Sequence, residues 1–304
     1  MTERRSSARW ICSRRRIIAL SRASDKNAKK ATPELTIVAI AEGAGGRLEK
    51  APESEAYVLW SIRVAALAGF LALWHFGSGT LFNHYYLGTP LAVAEQLVDW
   101  TRSGYLLPHI VATAQTTALG FAVAAIAGIA LAVPMATSSW VDRVLTPFIY
   151  TGFSLPKVVL APLMIFWLGV GFLPCLAMSA LTAFFFVFFN AYHGIRNVSP
   201  ALINAVQLMG ASRLQMLFAV RLPAAAPELT QGLHQGLVYA FHGAIVGEMT
   251  ASNLGIGYVL IFASTDMDTT GVISGLVVLA GITVILTRLL YFLMERLPSG
   301  QVDR

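Results

Sequence analysis

Six apolar stretches, each long enough to cross a membrane, set the strongest constraint on how this chain can fold. A helix needs roughly 20 apolar residues to span the hydrocarbon core of a bilayer. Its backbone polar groups must be satisfied within the helix, because lipid offers them no partner. The stretches run over residues 57–76, 109–135, 145–168, 172–192, 229–249 and 271–292. The sequence therefore predicts an all-α integral membrane protein with about six transmembrane helices.

The composition agrees with this class of protein. Hydrophobic residues make up 56% of the 304 residues and charged residues only 12%, which excludes an ordinary soluble domain. The net charge of +6 does not indicate nucleic-acid binding, because the basic residues concentrate before Pro52 and recur sparsely in loops. Such a distribution is typical of a membrane-orientation signal. We expect contact with membrane lipid and none with nucleic acid.

The positive residues also predict the domain organisation and the side that each loop faces. With the amino terminus inside, residues 1–56 form a basic, mostly disordered cytoplasmic tail, 57–297 the transmembrane domain and 298–304 a cytoplasmic end. The other cytoplasmic segments then hold Arg143, Arg196, Arg213 and Arg221, and the opposite side holds Arg102, Asp266 and Asp268. The sequence thus predicts a multi-pass membrane protein with the loop 193–226 in the cytoplasm.

Small residues at intervals of four predict that the helices pack closely against one another. The repeats are Gly120, Ala124, Gly128 and Ala132, then Gly232 with Gly236, Gly243 with Gly247, and Gly271 with Gly275. This spacing lets two helix backbones approach each other within lipid. A multi-helix bundle is therefore expected.

The loop 193–226 has the most specific local pattern in the chain. Ser199 is a helix-capping residue and Pro200 suits the first turn of a helix. Within that helix Leu202, Val206 and Met209 fall on one apolar stripe, away from Asn204 and Gln207, and Gly210 ends the helix.

A second short helix is predicted directly after this glycine. Ser212 and Gln215 form a capping box that opens it. Leu222-Pro223 closes it, because proline lacks a backbone donor and disfavours helix in the residue before it. The expected result is a compact projection of helix, hinge and helix.

This loop resembles that of the membrane-spanning permease subunits of bacterial ATP-binding cassette (ABC) importers. Their loop reads Glu-Ala-Ala, three residues, Gly, and about nine residues later an apolar residue and Leu-Pro. Here the residues are Asn204-Ala205-Val206, Gly210 and Val220-Arg221-Leu222-Pro223, with Asn204 in place of the usual glutamate and Val206 in place of the second alanine. The stretches 154–171 and 247–258 resemble the branch for nitrate, sulfonate, taurine, bicarbonate and thiamine precursors.

The resemblance implies a fold, a function and a set of partners. The fold would be the type I importer permease bundle, in a bacterial inner membrane, working as a pair by alternating access. A separate ATP-binding subunit, in two copies, would bind ATP and Mg and dock on the loop, and an extracytoplasmic binding protein would deliver the solute. The favoured solute is a nitrate-, sulfonate- or taurine-like anion, with a pyrimidine thiamine precursor close behind. The implied docking residues are Ser199, Leu202, Asn204, Ala205, Val206, Gln207, Met209, Gly210, Leu222 and Pro223.

The chain itself has no motif for binding or hydrolysing ATP. No Gly-Lys-Ser or Gly-Lys-Thr tripeptide occurs, so a phosphate-cradling P-loop is absent. We therefore predict a transport subunit without catalytic residues and without a bound cofactor, and we place ATP hydrolysis in the partner.

Four residues are candidates for the solute pathway or its gate. Pro156 and Pro162 remove backbone donors from the third span, so we expect a bent helix, which either lines a pathway or is simply tolerated. Lys157 and Glu248 are ionisable groups near the third and fifth spans, where charge is costly. Glu248 either shapes a gate or lies at the membrane interface, where it caps or pairs locally, and Lys157 either faces the pathway or snorkels to the cytoplasm.

Two other classes of protein remain as alternatives. A secondary transporter or channel would carry several ionisable pairs deep in its spans, and this chain has few. An intramembrane metalloenzyme would need converging ligands. His234, His242 and Glu248 are spaced by eight and six residues, which does not put them on one face of a helix, so no metal site is predicted.

Overall fold

A computed structural model describes residues 53–80 and 87–294, and these residues form helices and no strand. The described part of the predicted tail is only 53–56, and the predicted carboxyl-terminal segment 298–304 lies outside the described residues. The helices of at least eight residues are α1 Glu53–Thr80, α2 Pro90–Arg102, α3 Leu106–Thr137, α4 Ser139–Ser154, α5 Ala161–Leu168, α6 Phe172–Arg196, α7 Pro200–Leu208, α8 Ala226–Ala251, α9 Ile256–Thr265 and α10 Thr269–Met294.

These helices confirm the predicted all-helical membrane fold. Helices α1, α3, α6 and α10 are each long and apolar enough to cross a membrane. Two further spans arise if each of two bent pairs counts as one, namely α4 with the Lys157–Leu168 segment, bent by 89°, and α8 with α9, bent by 44°. The described part of the chain thus contains four to six candidate membrane spans, in the order predicted.

The break between α4 and α5 follows from Pro156. Leu155, the residue before this proline, is extended at φ −68° and ψ 133°, because proline disfavours the helical conformation of its predecessor. A 3₁₀ turn over Lys157–Leu160 then leads into α5. The predicted bend of the third span is thus confirmed, but Pro162 takes no part in it, because it lies in the first turn of α5, where its missing N–H is not needed.

The bundle is centred on α6, which packs along both α3 and α8. The glycines at the predicted four-residue spacing make this close approach possible. A Cβ atom at Gly120 would lie 2.5 Å from Cβ of Ser179 on α6, and one at Gly247 would lie 2.6 Å from Cα of Cys175 on α6. The predicted role of the small residues in helix packing is confirmed at these positions.

Hydrogen bonds tie α6 to α8 along their length. Ser179 Oγ donates to the carbonyl of Ala240 at 2.9 Å, and Thr182 Oγ1 donates to the carbonyl of Tyr239 at 2.9 Å. At one end of the pair the N–H of Gly171 donates to the carbonyl of Ala251 at 2.6 Å. Such side-chain bonds between membrane helices contribute of order 0.6–2 kcal/mol each.

The chain divides into two compact units, Met1–Phe70 and Leu71–Arg304. In the first unit the described residues, 53–70, are one helical segment whose described side chains are exposed. In the second unit the last turns of α1 are fastened by Ser78 Oγ, which donates to the carbonyl of Gly88 at 2.6 Å, and by Trp74 Nε1, which donates to that of Leu87 at 3.2 Å.

Two short helices were not predicted. Helix α2 begins at an N-cap, Thr89, whose side chain accepts from the N–H of Ala92, and α9 follows α8 after a turn. Both lie near the start of α10, and Gln96 of α2 contacts Asp268 just before it at 3.4 Å. They are too short to span a membrane, so hydropathy alone does not find them.

Candidate functional site

The loop between α6 and α8, residues 197–225, begins with α7. Ser199 occupies the N-cap position and Pro200 the first turn, as predicted, but the Ser199 side chain makes no capping hydrogen bond. Ser199 is exposed, so water can satisfy the first N–H groups of the helix. The helix ends at Leu208, and Gly210 follows with φ +84°, a left-handed conformation that glycine adopts without steric cost. The predicted stop at Gly210 is confirmed.

Helix α7 presents apolar side chains to its surroundings. Val206 is half-buried, whereas Leu208 and Met209 are 90% and 85% exposed and Leu202 is exposed as well. The predicted stripe is therefore divided, with Val206 turned toward the chain and Leu202 and Met209 turned away from it. Asn204, Ala205 and Gln207 are also exposed.

The second half of the loop confirms one prediction and corrects another. The capping box is present, with Ser212 Oγ accepting from the N–H of Gln215 at 3.3 Å and Gln215 Oε1 accepting from the N–H of Ser212 at 2.8 Å. Helical structure then runs through a π-helical segment, Met216–Arg221, and continues one residue past the predicted stop in a final turn, Leu222–Ala224. Pro223 does not close the helix because it stands in the first turn of that last segment, where no N–H is required.

The loop is held against the end of α3. Arg221 Nη1 donates to the carbonyl of Ala136 at 3.4 Å. A cleft of about 540 Å³ separates the two elements and is lined by Thr137, Ser138, Gln207, Ala211, Ser212, Arg213, Leu214, Met216, Leu217 and Arg221.

The predicted pathway residue Lys157 lies directly after the break between α4 and α5. Its Nζ donates to the carbonyl of Phe153 at 2.6 Å and lies 4.4 Å and 5.0 Å from the ring centroids of Phe153 and Phe185. Two contacts of a cation with aromatic faces, at about 0.5–2 kcal/mol each, and a hydrogen bond from a charged group, at about 1.5–3 kcal/mol, are comparable with the roughly 2.5–3.5 kcal/mol that a lysine costs at the centre of a membrane helix. These neighbours therefore offset much of the cost of burying the ammonium, although none of them carries a negative charge.

A cavity of about 310 Å³ adjoins Lys157. It is lined from the α4–α5 break, α6 and α8 by Phe153, Lys157, Val158, Met178, Thr182, Phe186, Tyr239, His242, Gly243 and Val246. Pro156 sets the turn that brings Lys157 to this cavity, and Pro162 is not among the lining residues.

The second ionisable candidate, Glu248, is fully buried at 1% exposure, inside the bundle and near the end of α8. Its Oε2 accepts from Thr113 Oγ1 at 2.9 Å and from the N–H of Gly257 at 3.0 Å. Thr113 Oγ1 in turn accepts from the N–H of Ile256 at 2.9 Å. Glu248 and Thr113 together cap the start of α9 by accepting hydrogen bonds from its first N–H groups.

One more side chain completes this arrangement. His109 Nδ1 accepts from the N–H of Gly255 at 3.1 Å, so three consecutive backbone donors at the start of α9 are satisfied by side chains of α3 and α8. Gly255 has φ +113°, and a Cβ atom there would lie 2.2 Å from the carboxyl carbon of Glu248. Sequence reasoning missed His109, Thr113 and Gly255, because the first two lie more than a hundred residues from their partners.

The histidines do not join Glu248 in a metal site. His242 lines the cavity beside Lys157, whereas Glu248 is engaged with α9. Within residues 53–80 and 87–294, no three His, Cys, Asp or Glu side chains lie close enough together to hold a metal ion.

Comparison with known proteins agrees with this helical bundle and its loop. Residues 120–299 match the family of the binding-protein-dependent transport system inner membrane component. The chain belongs to this family, and it is a multi-pass inner membrane protein that serves as the permease subunit of an ABC importer.

Individual relatives indicate to which branch of this family the chain is most similar. The chain is 32% identical to a probable ABC transporter permease protein of Haemophilus influenzae, over 71% of this chain and 87% of that protein. It is 34% identical to the riboflavin transport system permease protein RibX of Chloroflexus aurantiacus, over 70% and 79% of the two chains. It is 29% identical to the taurine transport system permease protein TauC of Escherichia coli, over 80% and 91%. The predicted resemblance to the taurine and sulfonate branch is confirmed.

Solved structures confirm the predicted type I importer permease fold. A chain of the inward-facing MetNI methionine ABC transporter superposes with a TM-score of 0.56 at 17% identity, covering 62% of this chain and 94% of that one. A chain of an amino acid ABC transporter solved with histidines gives 0.54 at 18% identity, covering 66% and 98%.

Proposed function

We propose that this chain forms the transmembrane pathway of an ATP-driven importer for a small organic anion. A separate ATPase subunit, present in two copies, docks on residues 199–223 of a permease homodimer, and an extracytoplasmic binding protein delivers the solute. ATP and Mg bind to the ATPase alone. Docking favours one of two arrangements of the bundle, so that ATP binding turns the pathway outward and hydrolysis resets it.

The observation that carries the docking proposal is the exposed apolar tip of α7. Leu208 and Met209 are 90% and 85% exposed in a loop that lies between two spans. Burying such a side chain contributes about 1.5–3 kcal/mol, and a groove on a partner subunit supplies that burial.

The distribution of arginines supports a cytoplasmic position for the loop. Arg196 at the end of α6 pairs with Asp142 at the start of α4, and Arg213 and Arg221 belong to the loop itself. These basic residues lie at one end of the helices, together with Arg143. Positive residues mark the cytoplasmic side of membrane proteins, so this clustering supports a cytoplasmic loop and, with six spans, a cytoplasmic amino terminus.

The solute class rests on Lys157 and on the relatives. Lys157 forms no ion pair with any carboxylate in the described part of the chain, so the cavity beside it carries positive charge. The relatives include permeases named for taurine and aliphatic sulfonates, both anionic at the sulfonate group, and others named for riboflavin and formylaminopyrimidine. A sulfonate- or taurine-like anion is the solute that both observations favour.

The docking proposal is tested by tagging the full chain, extracting it gently from its native membrane and identifying the co-purifying proteins by mass spectrometry. Met209→Asp should reduce the amount of a P-loop subunit by about tenfold or more, since losing about 1.4 kcal/mol weakens binding tenfold. Met267→Asp is the matched control, because Met267 is also exposed but lies in the turn between α9 and α10.

Two outcomes would contradict the proposal. Equal amounts of the P-loop subunit with both variants would show that α7 is not the docking surface. A chain that purifies alone and moves solute into liposomes without ATP would support a secondary transporter instead.

A further inference from the structure

The cavity beside Lys157 lies midway through the bundle. Thr182 on its wall is ten residues from the start of α6 at Phe172 and fourteen from its end at Arg196. At about 1.5 Å per residue, these separations correspond to roughly 15 Å and 21 Å. The α4–α5 break opens at the same level. Broken helices at the membrane midplane are typical positions for solute sites in transporters, because irregular backbone there is tolerated only beside a cavity or protein.

Three polar groups on the cavity wall keep hydrogen-bonding capacity for a ligand. The Lys157 ammonium uses one N–H on the carbonyl of Phe153 and retains two. Neither the ring nitrogens of His242 nor the hydroxyl of Tyr239 bonds to another group in the described part of the chain. Thr182 differs, because its hydroxyl is already engaged with carbonyls of its own helix and of Tyr239.

The rest of the wall is apolar and aromatic. Phe186 and Tyr239 stack with ring centroids 3.5 Å apart and planes 9° apart, and Phe153 meets Phe186 edge to face. Val158, Met178 and Val246 complete the lining. An inorganic oxyanion would contact the cation but leave this surface wet, whereas an organic anion would cover it.

We infer that this cavity is a mid-membrane binding site for an organic anion with a short alkyl or single-ring body, whose acidic group contacts Lys157. The inference deepens the proposed function, on which it rests, by naming where the solute binds and which anions are excluded. A volume of about 310 Å³ is at the small end of ligand pockets, which suits such a body. Nitrate and bicarbonate are poor ligands for it, because they have no apolar part.

The experiment uses a cysteine at Val246, on the cavity wall, in the full tagged chain, extracted gently together with the subunits that co-purify with it. The cysteine is labelled either with the anionic reagent 2-sulfonatoethyl methanethiosulfonate or with the cationic trimethylammonioethyl reagent. Met267→Cys gives the reference rates at an exposed position, and the chain without a new cysteine corrects for Cys12 and Cys175. We expect the anionic reagent to be favoured about tenfold at position 246 relative to position 267, because a cleft of one sign concentrates its counter-ions.

Substitutions at Lys157 and competing anions complete the test. Lys157→Gln should abolish the preference for the anionic reagent and Lys157→Arg should keep it. Butane-1-sulfonate at millimolar concentration should slow labelling at position 246, and nitrate at the same concentration should not. No reaction with either reagent, or equal rates irrespective of Lys157, would overturn the site, and equal protection by nitrate would overturn the organic class.

Failure of the site and failure of the proposed function give different results. The ATPase co-purifies irrespective of the labelling rates if only the site is wrong. If the docking proposal is wrong, the P-loop subunit is absent from the preparation while the charge preference at position 246 persists.

Discussion

Replacing Gly243 by alanine should destabilise the bundle even though alanine is the better helix former. A Cβ atom at this position of α8 would lie 2.0 Å from Thr182 Oγ1, 2.6 Å from the carbonyl oxygen of Met178 and 2.9 Å from Cα of Ser179. The last two atoms belong to the backbone of α6 and cannot rotate away. The two helices would have to separate by about 0.8 Å for the carbonyl to reach an ordinary 3.4 Å contact.

The opposing free energies can be compared. Alanine gains about 1 kcal/mol over glycine in helix propensity. Inserting a carbon into a packed core costs about 1–3 kcal/mol, and loss of the bond from Thr182 to the carbonyl of Tyr239 costs a further 0.5–1.5 kcal/mol or so. The net expectation is a destabilisation of about 0.5–3.5 kcal/mol, so the clash outweighs the gain in helix propensity.

Gly281→Ala is the matched control, because this glycine lies within α10 and a Cβ atom there would meet nothing within 4 Å. Thermal unfolding of the purified chain in detergent, followed by tryptophan fluorescence, should show a lower midpoint for Gly243→Ala and an equal or higher one for Gly281→Ala. Equal midpoints for the two variants would refute the close contact between α6 and α8 at this position.

Three further perturbations test the loop and the buried carboxylate. Gly210→Val should raise the number of ATP molecules hydrolysed per solute molecule moved while the chain stays in the membrane, because a left-handed φ costs a residue with a Cβ about 1–2 kcal/mol. Gly210→Asn should have a smaller effect. An unchanged ratio of ATP to solute in the valine variant would count against the hinge. Glu248→Ala should lower the midpoint of thermal unfolding more than Glu248→Gln. Alanine leaves two buried donors, the Thr113 hydroxyl and the N–H of Gly257, without an acceptor, at a cost of about 1–3 kcal/mol each. Equal midpoints for the two variants would contradict the cap on α9. Ser212→Ala should speed amide hydrogen exchange at Gln215, because it removes a helix cap worth about 0.5–2 kcal/mol. Ser199→Ala is the control and should leave exchange in α7 unchanged, because the Ser199 side chain makes no capping hydrogen bond.

Features that depend on neighbouring residues could be predicted from the sequence. The apolar stretches located the long helices, because spanning a bilayer requires a fixed length of apolar helix. The capping box of Ser212 and Gln215 was found because both partners lie within one turn. The interval of four between Gly243 and Gly247 correctly indicated a close helix contact, since it describes one face of one helix.

Features that depend on distant partners could not be predicted in this way. Glu248 was predicted either to shape a gate or to cap or pair locally at an interface, but nothing near it in the sequence identifies Thr113, 135 residues away, and the start of α9 as its partners. Pro223 was expected to end a helix, but a π-helical segment changes where its missing N–H falls. The cavity beside Lys157 is also assembled from three separate elements.

The bonding between α6 and α8 determines how a force on the loop would spread. The loop leaves α6 and enters α8, and these helices are joined by Gly171 at one end and by Ser179 and Thr182 midway. A fourth bond, from Asn190 Nδ2 to Gln235 Oε1 at 3.2 Å, lies nearer the loop. Both ends of the loop are thus attached to a helix pair whose members cannot slide past each other without breaking these four bonds. A force applied to α7 would therefore be transmitted to α6 and α8 together, as to one rigid body. If α6 and α8 move together, another part of the bundle has to adjust. The break around Pro156, where the chain bends by 89° beside this helix pair, is the segment best suited to do so.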